Sequence, residues 1–573
     1  MTHPVSPRNG RSSLKILCAL LPAMASAGMV GCGDDDSDGG SSGGKSSSGG
    51  VRATGGAVNT GGARATGGAV STGGARATGG AGTGGTGGSA GIGNGGAGGQ
   101  GGEPEVTGGS GGSSSGGVGG DEVGGAGGGA EPKVNCVRDP NIQAKVLPLA
   151  GSGHDGLFGV TFDADGNIYA TGYVQSGIAG TDNRKTVVAK FNEKGELDSS
   201  FGDQGVALVD VVAAGNGEMP RGIALQSDGK VVVAGAVEHS ATATGILAAD
   251  RDVFVFRLTA AGELDSAFGT DGIEILNLND GVEGTNAQGN PALIGADGQW
   301  GLNVDATDRV LVYGQQRAAG LQSDGTTPRL DTDFALVRLS KDGAVDSTFA
   351  AAGKFTYDIG QASVSARTAT LLPDGSIVCS GYSTYSGVQR PVMFKLGPNG
   401  EGPLWVFSEP VGSAAEAYGA ALQSDGKFVT AGYGRPNAAA TSTDLLSIRL
   451  TSYGTLDTTY GQNGATWFDA GGFGDNGRSL VVLGDNRVVL VGGGRLTESD
   501  VDGLVTILTP NGAPDTSFAP GGCRVYDFGT ANDFLWGAAL SPDKGSIALV
   551  GITGVPVAST DDNDSALVLL PVQ

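Results

Sequence analysis

From residue 158 onward apolar and polar positions recur in one phrase: an apolar strand, a short polar turn, and a second apolar strand ending in glycine. The copies read FGVTFDADGNIYATG, RGIALQSDGKVVVAG, WGLNVDATDRVLVYG, RTATLLPDGSIVCSG, YGAALQSDGKFVTAG, RSLVVLGDNRVVLVG and WGAALSPDKGSIALVG. Asp165, Asp228, Asp308, Asp374, Asp425, Asp485 and Asp543 mark the turns, at intervals of 51 to 80 residues. Asp-Gly or Asp-Asn between β-branched runs supplies the positive backbone angles of a tight two-residue turn, so each phrase predicts a β-hairpin.

A second phrase follows each of the first six, as in VVAKFNEKGELDSSFG, VFVFRLTAAGELDSAFG, ALVRLSKDGAVDSTFA, LLSIRLTSYGTLDTTYG and VTILTPNGAPDTSFA, with a degenerate fourth copy, VMFKLGPNGEGPLWVF. Phe201, Phe268, Phe349, Tyr460 and Phe518 read as wedges between neighbouring sheets. Asp198, Asp265, Asp346, Asp457 and Asp515 are placed to accept hydrogen bonds from local backbone N–H groups. Two hairpins per unit predict four-stranded antiparallel sheets, and seven such units predict an all-β fold, a seven-bladed β-propeller. The seventh unit stops after a third strand at 565–570. The apolar stretch 144–149 stands where a fourth strand is missing, so an N-terminal strand is expected to close the ring.

These phrases resemble the delta-60 repeat family, bacterial β-propeller domains with repeats near sixty residues; the resemblance covers residues 144–573 and is weakest in the fourth unit. It implies the propeller fold and brings no catalytic residues with it.

Composition divides the chain. Of 573 residues 109 are glycine, and 43 of these lie in 33–130, which holds no Phe, Trp or Tyr. That stretch cannot bury a core. Its twelve-residue repeat, ATGGAVNTGGAR at 53–64 and ATGGAVSTGGAR at 65–76, has one Val per copy, too little to stack a solenoid. A disordered Gly/Ser/Thr/Ala-rich tether over 32–131 is therefore expected, followed by the propeller over 132–573.

The first 31 residues read as an export signal: Arg8, Arg11 and Lys15 precede an apolar run from Ile16 to Met24 that is too short to span a bilayer. Met29-Val30-Gly31-Cys32 resembles the bacterial lipobox, with Met29 where Leu is usual. The resemblance implies lipidation of Cys32 and a membrane anchor. Gly33 after the cysteine implies the outer membrane or cell surface.

Charge and candidate chemistry complete the picture. The chain has 35 basic and 59 acidic residues, a formal charge of −24, which disfavours nucleic acid. Asp210, Asp358 and Asp469 end fourth strands shortly before Arg221, Arg367 and Arg478, and are read as inter-blade ion pairs. Lys190, Arg257, Arg338, Lys395 and Arg449 form a basic ladder in third strands. Asp182, Asp250 with Asp252, Asp331 with Asp333, Asp444, Asp500 with Asp502, and Asp561, Asp562 with Asp564 precede third strands. No metal site is expected: Asp250, Asp252, Asp331, Asp333, Asp500 and Asp502 are weak candidates for Ca²⁺, because single acids spread around a ring more often cap strands. His154 and His239 are expected in solvated loops, Asp163 to Asn167 imitate part of a calcium loop, Cys379 is expected in the core, and Cys136 and Cys523 are candidates for a disulfide.

With no catalytic constellation and no cofactor motif, the expectation is a monomeric, non-catalytic binding module. Its protein, peptide or glycan partner would lie on the face of the long loops 237–252, 278–299 and 315–333. The alternatives are a lactonase-like propeller hydrolase and a passive structural envelope protein.

Overall fold

All seven hairpin phrases form antiparallel strand pairs, and each pair is the inner half of a four-stranded blade. The structure is a computed structural model that describes residues 136–572, apart from 140–143, 151–152, 176–183, 213–216, 239–246, 248–249, 286–290, 296, 361, 498–499, 529–531 and 555–562. The export signal, Cys32, the tether, Asp182, His239, Asp561 and Asp562 lie outside the described residues.

Blade one comprises His154–Phe162, Ile168–Gln175, Lys185–Phe191 and Val206–Val209; blade two Met219–Leu225, Val231–Glu238, Arg251–Leu258 and Ile273–Leu276. Blade three comprises Gly298–Val304, Val310–Arg317, Thr332–Leu339 and Lys354–Tyr357; blade four Ser363–Leu371, Ile377–Tyr385, Val388–Leu396 and Trp405–Phe407. Blade five comprises Ala414–Leu422, Phe428–Arg435, Asp444–Leu450 and Ala465–Phe468; blade six Asn476–Val482, Val488–Thr497, Asp500–Leu508 and Cys523–Tyr526. Blade seven takes Asn532–Leu540, Ser546–Gly554 and Asn563–Pro571 from the C-terminus and Ala144–Leu147 from the N-terminus, antiparallel to its third strand. This is the closure expected from the short last unit. A small hairpin, Val282–Thr285 with Pro291–Ile294, is inserted between blades two and three.

The turns differ from the expected two-residue form. Each has one residue with positive φ: Gly166, Gly229, Asp308, Gly375, Gly426, Asn486 or Lys544. In the first, Asp163 N–H bonds the Asn167 carbonyl at 3.0 Å and Gly166 N–H bonds the Asp163 carbonyl at 3.2 Å. One left-handed residue after a tight turn closes a three-residue loop, whereas a two-residue type I′ turn needs two. Asp163 accepts the N–H groups of Asp165 and Asn167, so the calcium-like stretch is a hydrogen-bonded turn.

The second phrase seals neighbouring blades. Phe201, Phe268, Phe349, Tyr460 and Phe518 are buried, and each of the first two packs with the next blade's inner strands. Gly262, with φ of 85°, covers Phe201; a Cβ there would lie 2.7 Å from Gly202 N. The third-strand basic residues are ties as well as a ladder. Arg257, Arg338 and Arg449 each pair with the phrase's aspartate at 2.8 Å (Asp265, Asp346, Asp457). They also donate to the next blade's turn carbonyls, at Lys341, Pro398 and Pro510. The other oxygen of each aspartate accepts the N–H two residues on, as expected.

At the seam, Val137–Arg138 lies parallel to Cys523–Tyr526, and Cys136 and Cys523 form a disulfide with Cα atoms 5.1 Å apart. Cys379 is a buried thiol.

Candidate functional site

A propeller blade presents only the edge of its innermost strand to the axis, so a side chain reaches the axis where that strand bulges. All seven innermost strands do so, and the residue skipped in the strand register is Phe158, Arg221, Trp300, Arg367 (with Thr368), Tyr418, Arg478 or Trp536. Around the ring the order is aromatic, arginine, aromatic, arginine, aromatic, arginine, aromatic. The uneven count leaves Phe158 and Trp536 adjacent, and their rings meet edge to face at 5.1 Å.

Glycine follows the bulge in five blades because the next inner strand approaches there. A Cβ at Gly159 would lie 2.7 Å from the Arg221 carbonyl oxygen, and one at Gly537 would lie 2.5 Å from that of Phe158. The aromatic-Gly or Arg-Gly pair therefore aims one side chain at the axis and lets the neighbouring blade close behind it.

The guanidiniums stack among the rings. Arg221 lies 3.7 Å from the Trp300 centroid; Arg367 lies 4.4 Å from Trp300 and 4.3 Å from Tyr418; Arg478 lies 4.4 Å from Tyr418 and 4.6 Å from Trp536. Cation–π contacts of this kind gain strength when desolvated. Together these residues line a cavity of about 210 Å³ on the axis. Glu416, fully buried beside it, pairs with Arg367 at 3.3 Å and accepts from Gln389 at 3.2 Å. Burial raises its carboxyl above the usual value, opposed by Arg367 and Arg478. Three guanidiniums thus gather at the axis of a strongly acidic chain.

The expected pairing of Asp210, Asp358 and Asp469 with these arginines is corrected. Asp210 pairs with Lys185 at 3.4 Å, Asp358 pairs with Arg329 at 2.8 Å, and Asp469 accepts the N–H groups of Gly471 and Gly472. The acids end outermost strands and the arginines lie on innermost ones, about three strand spacings of ~4.8 Å away.

A different carboxylate makes the blade junctions, three residues ahead of the ring position: Asp155, Glu218, Asp297, Asp475 and Asp533. Each accepts a backbone N–H from the chain leaving the preceding blade, at Ala150, Val211, Leu278, Ala470 and Phe528, over 2.6 to 2.9 Å. Burial pushes Asp155 up to about 6, Glu218 to about 7 and Asp297 to about 8, against the hydrogen bonds that lower them, and raises Asp475 well above its usual value. These groups hold protons more tightly folded than unfolded. Their contribution to stability is complete below the unfolded value near pH ~4 and is lost as pH rises through the folded values. Asp198 is the opposite case, held at about 2 by the Ser200 hydroxyl and then Lys190, so its contribution is lost as pH falls toward 2. The melting temperature is therefore expected to peak near pH ~4 and to fall toward pH 8. Glu218→Gln should flatten that decline, and a melting temperature that rises from pH 5 to 8 would contradict the assignment.

The Ca²⁺ candidates divide into three places. Carboxylate oxygens of Asp331, Asp333 and Asp358 lie within 4.8 Å of one another, as do those of Asp502, Asp527 and Asp533. Arg329 stands in the first group, 2.8 Å from Asp358 and 3.7 Å from Asp333. Arg138, from the N-terminal strand, stands at the second, 3.3 Å from Asp502 and 3.5 Å from Asp500. Asp250 accepts Gly281 N–H at 3.1 Å and, with Asp252, raises the carboxyl of Asp297. His154 is buried and pairs in register with Gln175, so it begins the first strand and does not lie in a solvated loop.

The ring residues were missed as a site, although they open all seven hairpin phrases. The usable signal was the alternation of Arg with Phe, Trp or Tyr immediately before a small residue.

The model of a family described as a domain of unknown function (DUF5122) beta-propeller matches residues 226–268, 331–349, 372–401 and 423–460. No curated protein matches the chain in sequence. Among solved structures, a protein of unknown function from Dyadobacter fermentans is similar at 13% identity, with 77% of this chain and 100% of that one covered and a TM-score of 0.37. A puromycin hydrolase shares 14% identity over 74% of this chain and 54% of its own, with a TM-score of 0.40. Polysaccharide lyase Uly1 shares 10% identity over 77% and 93%, with a TM-score of 0.41.

Proposed function

We propose that the protein is an exported, lipid-anchored propeller of the delta-60 repeat type, a monomeric and non-catalytic binding module that takes its ligand at the axis. The observation that carries this reading is the convergence of Arg221, Arg367 and Arg478 with four aromatic residues on one cavity. Pockets that bind small molecules are concave and carry a few convergent polar groups. Arg329 and Arg138 within the two acid clusters support a reading without a bound metal. The lipobox-like stretch ending at Cys32 supports the anchor, and Gly33 the outer membrane.

Two of the four tryptophans, Trp300 and Trp536, belong to the ring, so intrinsic fluorescence reports on it. Titration of the protein with a panel of small acids, sugars and peptides is expected to give a saturable fluorescence change that Trp536→Phe diminishes and Arg478→Lys weakens. A ligand that binds equally well to Arg478→Lys, or binds without changing the fluorescence, would place the site elsewhere.

A further inference from the structure

The N-terminal segment makes two attachments, to two different blades and in a fixed order. The first is to blade six. Cys136 is bonded to Cys523, Val137–Arg138 runs parallel to Cys523–Tyr526, and Asp139 donates its N–H to the Val525 carbonyl and accepts from Arg524, both at 3.1 Å. The second is to blade seven, where Ala144–Leu147 closes the ring against Asn563–Pro571.

The two attachments carry a pull differently. In the closing pair Ala144 faces Val568 and Leu147 faces Ser565, so the chain leading to the N-terminus and the chain leading to the C-terminus leave from the same end. Hydrogen bonds between antiparallel strands lie across the strands. A pair drawn apart from one end therefore breaks its bonds one after another, with no sharing of the load, and the closing strand is only four residues long. The bridge to blade six has no such weakness. It is covalent, and Cys523 is buried with Val525 in the apolar core shared by blades five and six. It also stands eight residues ahead of Ala144, so tension arriving along the N-terminal chain meets the bridge first.

We propose that the Cys136–Cys523 bridge is a load clamp: tension on the N-terminal chain enters blade six at Cys523 and does not reach the strand that closes the ring. Without the bridge the same tension unzips Ala144–Leu147 and opens blade seven. The membrane as the source of that tension rests on the lipid-anchored reading; the clamp does not.

The test is force spectroscopy of the full chain held by its two ends. With the bridge intact the loop from Cys136 to Cys523 cannot lengthen, so unfolding is expected to release only the 50 residues from Arg524 to Gln573, about 170 Å at roughly 3.3–3.6 Å per residue. In Cys136→Ser a first step of about 45 Å is expected, the 13 residues 137–149, at lower force than the rest, and a total release of about 1,500 Å from the 437 residues Val137 to Gln573. Reduction of the wild-type bridge with a dithiol, which leaves two protein thiols and the reagent's own cyclic disulfide, is expected to give the same trace and serves if the variant fails to fold. A first step of about 45 Å with the bridge intact, or a bridge-free protein whose closing strand is released only together with the rest, overturns the clamp. Partition of the full chain into a detergent phase, expected to be lost in Cys32→Ser, tests the anchor separately. If both proteins partition alike, the anchored reading falls and the clamp is still decided by the force traces.

Discussion

Gly537→Ala is expected to destabilise the protein by about 3 kcal/mol, the upper range for inserting an atom into packed structure. The added Cβ would sit 2.5 Å from the Phe158 carbonyl oxygen and 3.0 Å from Val550. The nearest atom is backbone of the neighbouring inner strand, held at its own bulge, so it cannot turn aside as a flexible side chain would. Blade seven would have to move outward from blade one at the point where the ring closes. Gly484→Ala is the matched control. It lies in the sixth hairpin turn with nothing within 4 Å of the added Cβ, and it is expected to be neutral or slightly stabilising, by less than ~1 kcal/mol. Chemical denaturation of both variants checks the pair. Equal midpoints would show that the inner strands have slack and that the bulge geometry is not enforced by packing.

The second large effect concerns the seam. Removing residues 132–149 takes away the fourth strand of blade seven, the strand beside Cys523–Tyr526, the disulfide and Arg138 together. The edge of Asn563–Pro571 would lose its antiparallel partner, and an uncovered edge strand is a template for pairing with other chains. Loss of soluble monomer is expected, read by size-exclusion chromatography. Cys136→Ser alone isolates the covalent part, with an expected cost of about 3 kcal/mol, because the bridge ties residues 387 positions apart in sequence. A truncated protein that remains monomeric with an unchanged melting temperature would mean that six closed blades and one open blade suffice.

Much of the propeller was legible because its signals are local. Turn aspartates, strand-end glycines and the Leu-Asp-x-x-Phe phrase each report on a few neighbouring residues, and each copy repeats them. The loop length was misjudged for a local reason as well: Asp and Gly side by side do not say whether one residue or both take positive φ, and the structure uses one. The axial ring was harder to read. Arg221, Arg367 and Arg478 stood in view at the head of their phrases, but alternation along a strand gives only two directions, into one blade face or the other. A bulge supplies a third, toward the axis, and aligned bulges in separate blades become a site only when the ring closes. The basic residues that face the acid clusters were only partly legible, because some arrive from far along the chain. Arg138 meets Asp502 from 364 positions away, and nothing near Asp502 announces it. By contrast Arg329, two residues before Asp331, was close enough to have been weighed against the Ca²⁺ reading.

The convergence of the seven bulge residues on one axial ligand site is tested most directly by a crystal of the protein soaked with a ligand that its fluorescence titration has identified. The expected result is density for that ligand inside the axial cavity, in contact with Trp300 or Trp536. Density for it elsewhere on the protein and none in the cavity would contradict the axial site.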